Sequence, residues 1–142
     1  MKHTLNLKSS VFVLLLFATG CFALSCQNKT AATEEYLIKT DSIVVPDTVR
    51  LNQSFQLAFY GTIGENGCYR FSRFHIEKNQ NKIQIQVIGE VKTGENLNCP
   101  QNLPDLNGQA LLLQADSLGL LKLEVLNPGL NQLIRKTIMV IP

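Results

Sequence analysis

The sequence predicts an all-β domain, an antiparallel immunoglobulin-like β-sandwich of about seven strands, with a small barrel as the second architecture. Three observations lead to this prediction. Large apolar residues alternate with polar ones along several short segments, turn-forming residues separate these segments, and the Leu-rich stretches are too short for helices. With 142 residues, the chain has room for one such domain and an N-terminal signal.

The N-terminus has the pattern of an export signal. Lys2 and Lys8 precede an apolar run over residues 11–18, and this run is interrupted at residues 19–21. A membrane-spanning helix needs about 20 apolar residues, so a signal peptide over residues 1–25 is favoured over a permanent span. A core helix is the alternative, but the run lacks a polar face.

Two cysteines lie where a signal peptidase would act. Ala23-Leu24-Ser25 precede Cys26, and Ala18-Thr19-Gly20 precede Cys21. Both segments resemble the lipobox of bacterial lipoproteins. This resemblance implies that one cysteine receives a diacylglycerol thioether and becomes the mature N-terminus. Cys26 is favoured because polar residues follow it, whereas Cys21 is followed by more apolar signal and remains the alternative.

A lipidated cysteine would fix the location of the protein. Two or more acyl chains anchor a protein stably at a bilayer, since each buried methylene contributes roughly 0.8 kcal/mol. The expected location is therefore the cell envelope, at the outer membrane or facing the periplasm. Residues 26–41 would form the lipidated N-terminus and a flexible tether, and residues 42–142 would form the β-sandwich domain.

The predicted strands follow in order along the mature chain. Alternation is clearest at residues 54–59, 83–87 and 121–125, and weaker strands are predicted at residues 43–45, 69–78, 109–114 and 133–141. In Tyr69–Lys78 the apolar positions switch from odd to even near Ser72 and Arg73, which predicts a bulge or a strong twist. Residues 79–81 join two alternating segments and predict a hairpin.

Charge and composition exclude some classes of partner. The net charge of +2 comes from Lys2 and Lys8, since all acidic residues lie beyond position 27 and the remaining basic residues equal them in number. The basic residues are interspersed with Glu and form no basic face, so nucleic acid is not an expected partner. The chain has no Trp, which makes sugar binding less favoured.

Cys68 and Cys99 remain after signal and anchor are assigned. An exported protein meets an oxidising compartment, so one disulfide is expected, and it would stabilise the fold by roughly 3 to 4 kcal/mol. Two unpaired thiols are one alternative, and a zinc site with His75 is another, although the spacing fits no common zinc pattern. His75 lies in an ordinary strand pattern, which favours a surface histidine over a catalytic base.

The remaining candidate sites are weaker. Gly61, Gly64 and Gly67 recur at intervals of three, but no helix follows them, so turns are favoured over a phosphate-binding loop. Asp105 and Asp116 lie near predicted turns and lack the dense ligand pattern of a calcium loop. A paired-carboxylate hydrolase has no positive support in the sequence.

A second resemblance rests on two segments, residues 61–69, which end in Cys68 and Tyr69, and the later Asn98-Cys99-Pro100. They are similar to a motif of small secreted bacterial β-sandwich domains of uncharacterised function. The resemblance covers residues 42–142 and implies that Cys68 and Cys99 pair. It implies a fold and no activity. The sequence departs from it at residues 118–126, which lack the expected aromatic residue.

The sequence predicts a binding protein more readily than an enzyme. An anchor, a tether and a cross-linked domain without a catalytic constellation favour a non-enzymatic binding or assembly module that contacts another envelope protein, with no cofactor. Two alternatives stay open. The first is an inhibitor of exported proteases that uses the loop Asn96–Leu106, and the second is a small hydrolase or metal-dependent enzyme that depends on His75.

Overall fold

A computed structural model describes residues 32–142, which form nine strands and no helix. The strands are β1 (Ala32–Leu37), β2 (Ser42–Val44), β3 (Thr48–Arg50), β4 (Ser54–Tyr60), β5 (Tyr69–Asn79), β6 (Lys82–Thr93), β7 (Gln109–Gln114), β8 (Gly119–Leu126) and β9 (Leu133–Ile141). The predicted all-β, sandwich-like fold is confirmed.

The strands form a large sheet and a small one. The large sheet has the order β1-β6-β8-β9-β3, with β5 also pairing with β6, and the small sheet has the order β2-β4-β7. The long strand β6 organises the large sheet. Strand β5 pairs along one side of β6, while β8 and β1 share the other side, β8 along residues 82–86 and β1 along residues 88–93.

One hydrophobic core lies between the sheets. The alternating residues of the central strands point inward, as the period of two predicts, because successive side chains of a strand point to opposite faces. Phe59 of the small sheet contacts Phe74 of the large sheet, with ring centroids 4.7 Å apart. The largest fully buried apolar side chains are Ile38, Leu57, Phe59, Ile85, Val87, Leu123, Val125 and Ile138.

The predicted tether over residues 26–41 is corrected where the structure describes it. From Ala32 onward the chain forms β1, which pairs antiparallel with the second half of β6. Ile38 is buried in the core, and the Tyr36 hydroxyl donates a 2.5 Å hydrogen bond to the carbonyl of Ile63. The domain therefore begins at residue 32 rather than 42, because these few apolar side chains find partners that are distant in sequence.

The strand pairing is partly parallel, which corrects the predicted purely antiparallel arrangement. Strand β3 pairs in parallel with β9, and β6 pairs in parallel with β8. Parallel neighbours require crossover connections, and β7, in the other sheet, lies in the connection from β6 to β8. Strands β1 and β3, which the sequence did not predict, raise the number of strands from about seven to nine.

Two local predictions are confirmed in β5 and its turn. The register between β5 and β6 shifts between Phe71 and Arg73, where the apolar alternation changes phase. Asn79 pairs with Lys82, so the predicted hairpin closes through a turn of two residues. Gln80 has a φ of 46°, a left-handed conformation that such tight turns require.

Candidate interaction surface

The predicted disulfide is present. Cys68 and Cys99 are bonded, with their Cα atoms 5.1 Å apart. The bond joins the segment before β5 to the long connection between β6 and β7. Because both sulfurs are used in this bond, the cysteines are not available as zinc ligands. The predicted lipidation sites Cys26 and Cys21 lie outside the described residues.

His75 lies on the exposed side of β5, away from the disulfide. Its Nε2 is 3.4 Å from a carboxylate oxygen of Glu77, and the side chain is half exposed. Within residues 32–142, no group of three or more His, Cys, Asp or Glu residues is arranged to hold a metal ion. The same residues contain no helix that is long and apolar enough to cross a membrane.

The glycines and aspartates that the sequence analysis considered as candidate sites make structural contacts in the loops. Gly64 and Gly67 lie where a Cβ atom would clash with Tyr69 and with Asn102 and Pro100, respectively. Asp105 forms an isolated β-bridge with Thr62. Asp116 accepts a 3.0 Å hydrogen bond from Lys78. These residues therefore have structural roles in the loops of the domain.

The connection between β6 and β7 is a fixed loop. The disulfide holds it at Cys99, the Gly67 N–H donates to the Pro100 carbonyl, and the Ile63 N–H donates to the Pro104 carbonyl, both at 2.8 Å. Leu103, next to the last of these contacts, is 70% exposed. The loop therefore displays an apolar side chain on a fixed backbone.

The outward face of the large sheet is charged at one end. Arg70, Glu90 and Glu35 lie side by side on β5, β6 and β1, and Arg73 donates two hydrogen bonds to the Glu35 carboxylate. These bonds hold the pKa of Glu35 below its usual value. The two arginines thus compensate two carboxylates that would repel each other directly across neighbouring strands.

A second charged group lies further along the same face. Burial alone would raise the pKa of Glu124, but hydrogen bonds from Gln84 and Arg135 and the charge of Lys82 outweigh it and hold this pKa below its usual value. Beside this group is a shallow depression of about 520 Å³, whose lining includes Lys82, Lys122 and Leu120. Since Lys82 is only 3.6 Å from Glu124, its charge is partly compensated.

The outward face of the small sheet is different, because none of its side chains is charged. The strand registers place the outward residues of β2, β4 and β7 in rows across the sheet. We call this surface the uncharged face. Its residues are Ser42, Val44, Ser54, Gln56, Ala58, Tyr60, Ala110, Leu112 and Gln114.

Apolar side chains stand out from the uncharged face. Leu112 is 70% exposed, Val44 is 60% exposed, and Tyr60 is also exposed. Depletion of charge combined with exposed aliphatic and aromatic side chains is typical of the centre of a protein interface. The sequence contained a signal for this surface, because the polar positions of these strands carry Ser, Gln and Ala rather than Lys or Glu, but only the register shows that they share one face.

No family model, curated protein or solved structure matches this chain.

Proposed function

We propose that this protein is a membrane-anchored lipoprotein of the cell envelope, whose β domain serves as a non-enzymatic binding or assembly module and binds through the uncharged face. The disulfide between Cys68 and Cys99 carries the first part of the proposal. Disulfides form and persist in oxidising compartments outside the cytoplasm, which agrees with an export signal at residues 1–25.

The distance from anchor to domain supports the same proposal. Strand β1 begins at Ala32, so only residues 27–31 separate it from a lipid-bearing Cys26. An extended chain spans at most about 3.5 Å per residue, so this connection reaches about 20 Å. The domain would stay close to the bilayer, with the end of the large sheet that contains Ala32 and Thr93 nearest to it.

Mass spectrometry of the protein isolated from membranes tests the anchor. The expected product begins at Cys26, carries acyl groups on it, and has a mass two hydrogens below that of the reduced form because Cys68 and Cys99 are bonded. Unprocessed full-length protein in the soluble fraction of cells would contradict the proposal.

Site-specific crosslinking in living cells tests the binding surface. A photoreactive residue at Val44, on the uncharged face, is expected to crosslink to another protein chain. The matched control is Leu120, which is about equally apolar and is 52% exposed on the large sheet. Equal crosslinking from both positions, or none from Val44, would contradict the assignment of the surface.

A second candidate function is inhibition of exported proteases, and the loop Asn96–Leu106 favours it. This loop is fixed by the disulfide and displays Leu103, as a canonical inhibitor loop must present a side chain on a rigid backbone. Inhibition of a protease that prefers Leu, lost in Leu103→Asp and retained in Leu118→Asp, would support it. Absence of inhibition across a protease panel would exclude it.

A further inference from the structure

Strand β7 leaves one edge of the small sheet open. It pairs with β4 on one side, and no described strand pairs with its other side. Its sequence, QALLLQ, contains no charge, proline or glycine. Natural proteins usually protect such edges with charged residues, proline or bulges, because an open edge pairs readily with another strand.

Another open edge, that of the longer strand β5, is protected in this way. Strand β5 carries Arg70, Arg73 and Lys78, and it has a bulge between Phe71 and Arg73. The contrast between the two strands shows that the β7 edge lacks a protection that the same domain uses elsewhere.

The alternation of hydrogen bonds along β4 and β7 identifies the free backbone groups. The Ala115 N–H donates to the Gln53 carbonyl, and these two residues continue the register in which Leu113 pairs with Phe55. Hydrogen-bonded pairs alternate with non-bonded pairs in an antiparallel ladder, so Leu111 and Leu113 bond to β4. Ala110, Leu112 and Gln114 therefore direct their N–H and C=O groups toward the open edge.

These free groups are self-complementary. If two copies of β7 pair antiparallel about a two-fold axis at Leu112, then Leu112 meets its own copy and Ala110 meets Gln114 of the other chain. All free residues then lie in hydrogen-bonded pairs, which gives about six backbone hydrogen bonds. If the register between the two copies shifts by two residues in either direction, about four backbone hydrogen bonds remain, because Leu112 then pairs only with Ala110 or only with Gln114 of the other chain.

The same register also suits the side chains. Leu112 packs against Leu112 on the outward face, and Leu111 lies opposite Leu113 on the inward face. Since the uncharged face carries no charge, two copies approach without like charges meeting. A single segment that pairs with itself produces a closed two-fold dimer, the commonest symmetric assembly.

We propose that this protein forms a two-fold dimer in which β7 of one copy pairs antiparallel with β7 of a second copy, joining two three-stranded sheets into one six-stranded sheet. This inference rests on the proposed function in one respect only, which is the assignment of the small sheet as the binding surface. It identifies the partner of that sheet as a second copy of the same chain. It does not depend on the lipid anchor.

Copurification of two differently tagged full-length chains, coexpressed and extracted in detergent, tests the dimer. The wild-type chains should copurify, and the purified protein should crosslink to twice the monomer mass of 15.8 kDa, less any removed signal. Leu112→Lys in both chains should abolish copurification, because two ammonium groups would meet at the two-fold axis. Leu112→Glu in both chains should do the same.

Combining one Leu112→Lys chain with one Leu112→Glu chain should restore copurification, which only direct contact of this residue with its own copy explains. Leu120→Lys is the matched control and should copurify like the wild type. Loss of copurification in the Leu112 variants alone would then exclude shared micelles as the cause, because the same detergent extract contains both kinds of chain in the same way. If the Leu112 variants fail to fold, Ala110→Pro removes a free N–H of the edge without removing a bond to β4, and it should also abolish copurification.

Wild-type chains that remain monomeric, or pairing that survives the like-charge variants, would overturn the inference. So would a failure of the opposite-charge pair to restore copurification. If the dimer fails while Val44 still crosslinks to a different protein, the proposed function stands. If the dimer forms but Cys26 and Cys21 are not acylated, the anchor fails and the dimer stands.

Discussion

Replacing Gly89 with alanine tests how β1 is held in the domain. Gly89 lies on β6 directly opposite Tyr36, and a Cβ atom built on it would lie 2.5 Å from Cζ of the Tyr36 ring and 2.8 Å from Cγ1 of Ile38. Such distances are too short for carbon atoms, so the ring must move away. The glycine thus makes room for the tyrosine.

The contacts that the ring would lose set the magnitude. The Tyr36 hydroxyl would lose its hydrogen bond to the Ile63 carbonyl, and the ring would lose its edge-on contact with Tyr69, whose centroid is 5.5 Å away. Losing the hydrogen bond leaves a part-buried carbonyl unpaired, which costs about 1 to 3 kcal/mol, and the aromatic pair contributes about 1 kcal/mol. We expect Gly89→Ala to lower the free energy of unfolding by about 2 to 4 kcal/mol.

A double-mutant cycle in denaturant unfolding, with the disulfide intact, measures this coupling. In a Tyr36→Ala background the ring is absent and only the close contact with Cγ1 of Ile38 remains, so Gly89→Ala should cost less than in the wild type. If Gly89→Ala destabilises the protein equally in both backgrounds, the close approach of the ring is not the cause, and the reasoning is refuted.

The ionisation of Tyr36 provides an independent measurement. Burial and the neighbouring Tyr69 raise the pKa of Tyr36 from 10 to about 12. Because the unfolded chain loses this proton first, the stabilising contribution is complete below pH 10 and is lost as the pH rises toward about 12. In Gly89→Ala the pKa should fall back toward 10, as measured by phenolate absorbance against a Tyr36→Phe reference.

Three further predictions concern the rest of the domain. Replacing both cysteines of the disulfide should lower the free energy of unfolding by about 4 kcal/mol, because the bond closes a loop with a sequence separation of 31. An unchanged denaturant midpoint would contradict this prediction. Asn127→Ala should cost about 2 kcal/mol in the same assay, because the Asn127 amide accepts from the Thr40 N–H and donates to the Thr40 carbonyl; a change within error would show that water replaces the amide. Leu57→Ala, at a fully buried position, should cost about 2 to 5 kcal/mol, whereas Leu120→Ala, at an exposed position outside the proposed interface, should stay within about 0.5 kcal/mol; comparable losses would contradict the assigned core.

The strands whose alternation is local were predictable, and those whose partners are distant were not. The alternation in residues 54–59 and 121–125 predicted β4 and β8, because one face of each strand packs on the core. Strand β3 has only Val49 buried, and three residues cannot establish a period. The outward positions of β1 carry no such signal, since Glu35 lies opposite Glu90 and is stable there only beside arginines of β5.

The candidate surface was predictable in composition but not in position. The absence of charge at alternate positions of residues 54–60 and 109–114 is visible in the sequence. That these positions lie side by side, and that β7 is an outer strand, depends on pairings between segments about 50 residues apart, which local patterns do not determine.

The sequence by itself determined the all-β class, the core side of the main strands, the bulge near Ser72 and the cysteine pair. These properties depend on the period of the side chains and on the chemistry of single residues, which act over a few positions. The tertiary structure alone decided the parallel pairings, the incorporation of β1 and the open edge at β7. These features depend on which strands pair with each other, and that pairing is determined by packing across the whole core.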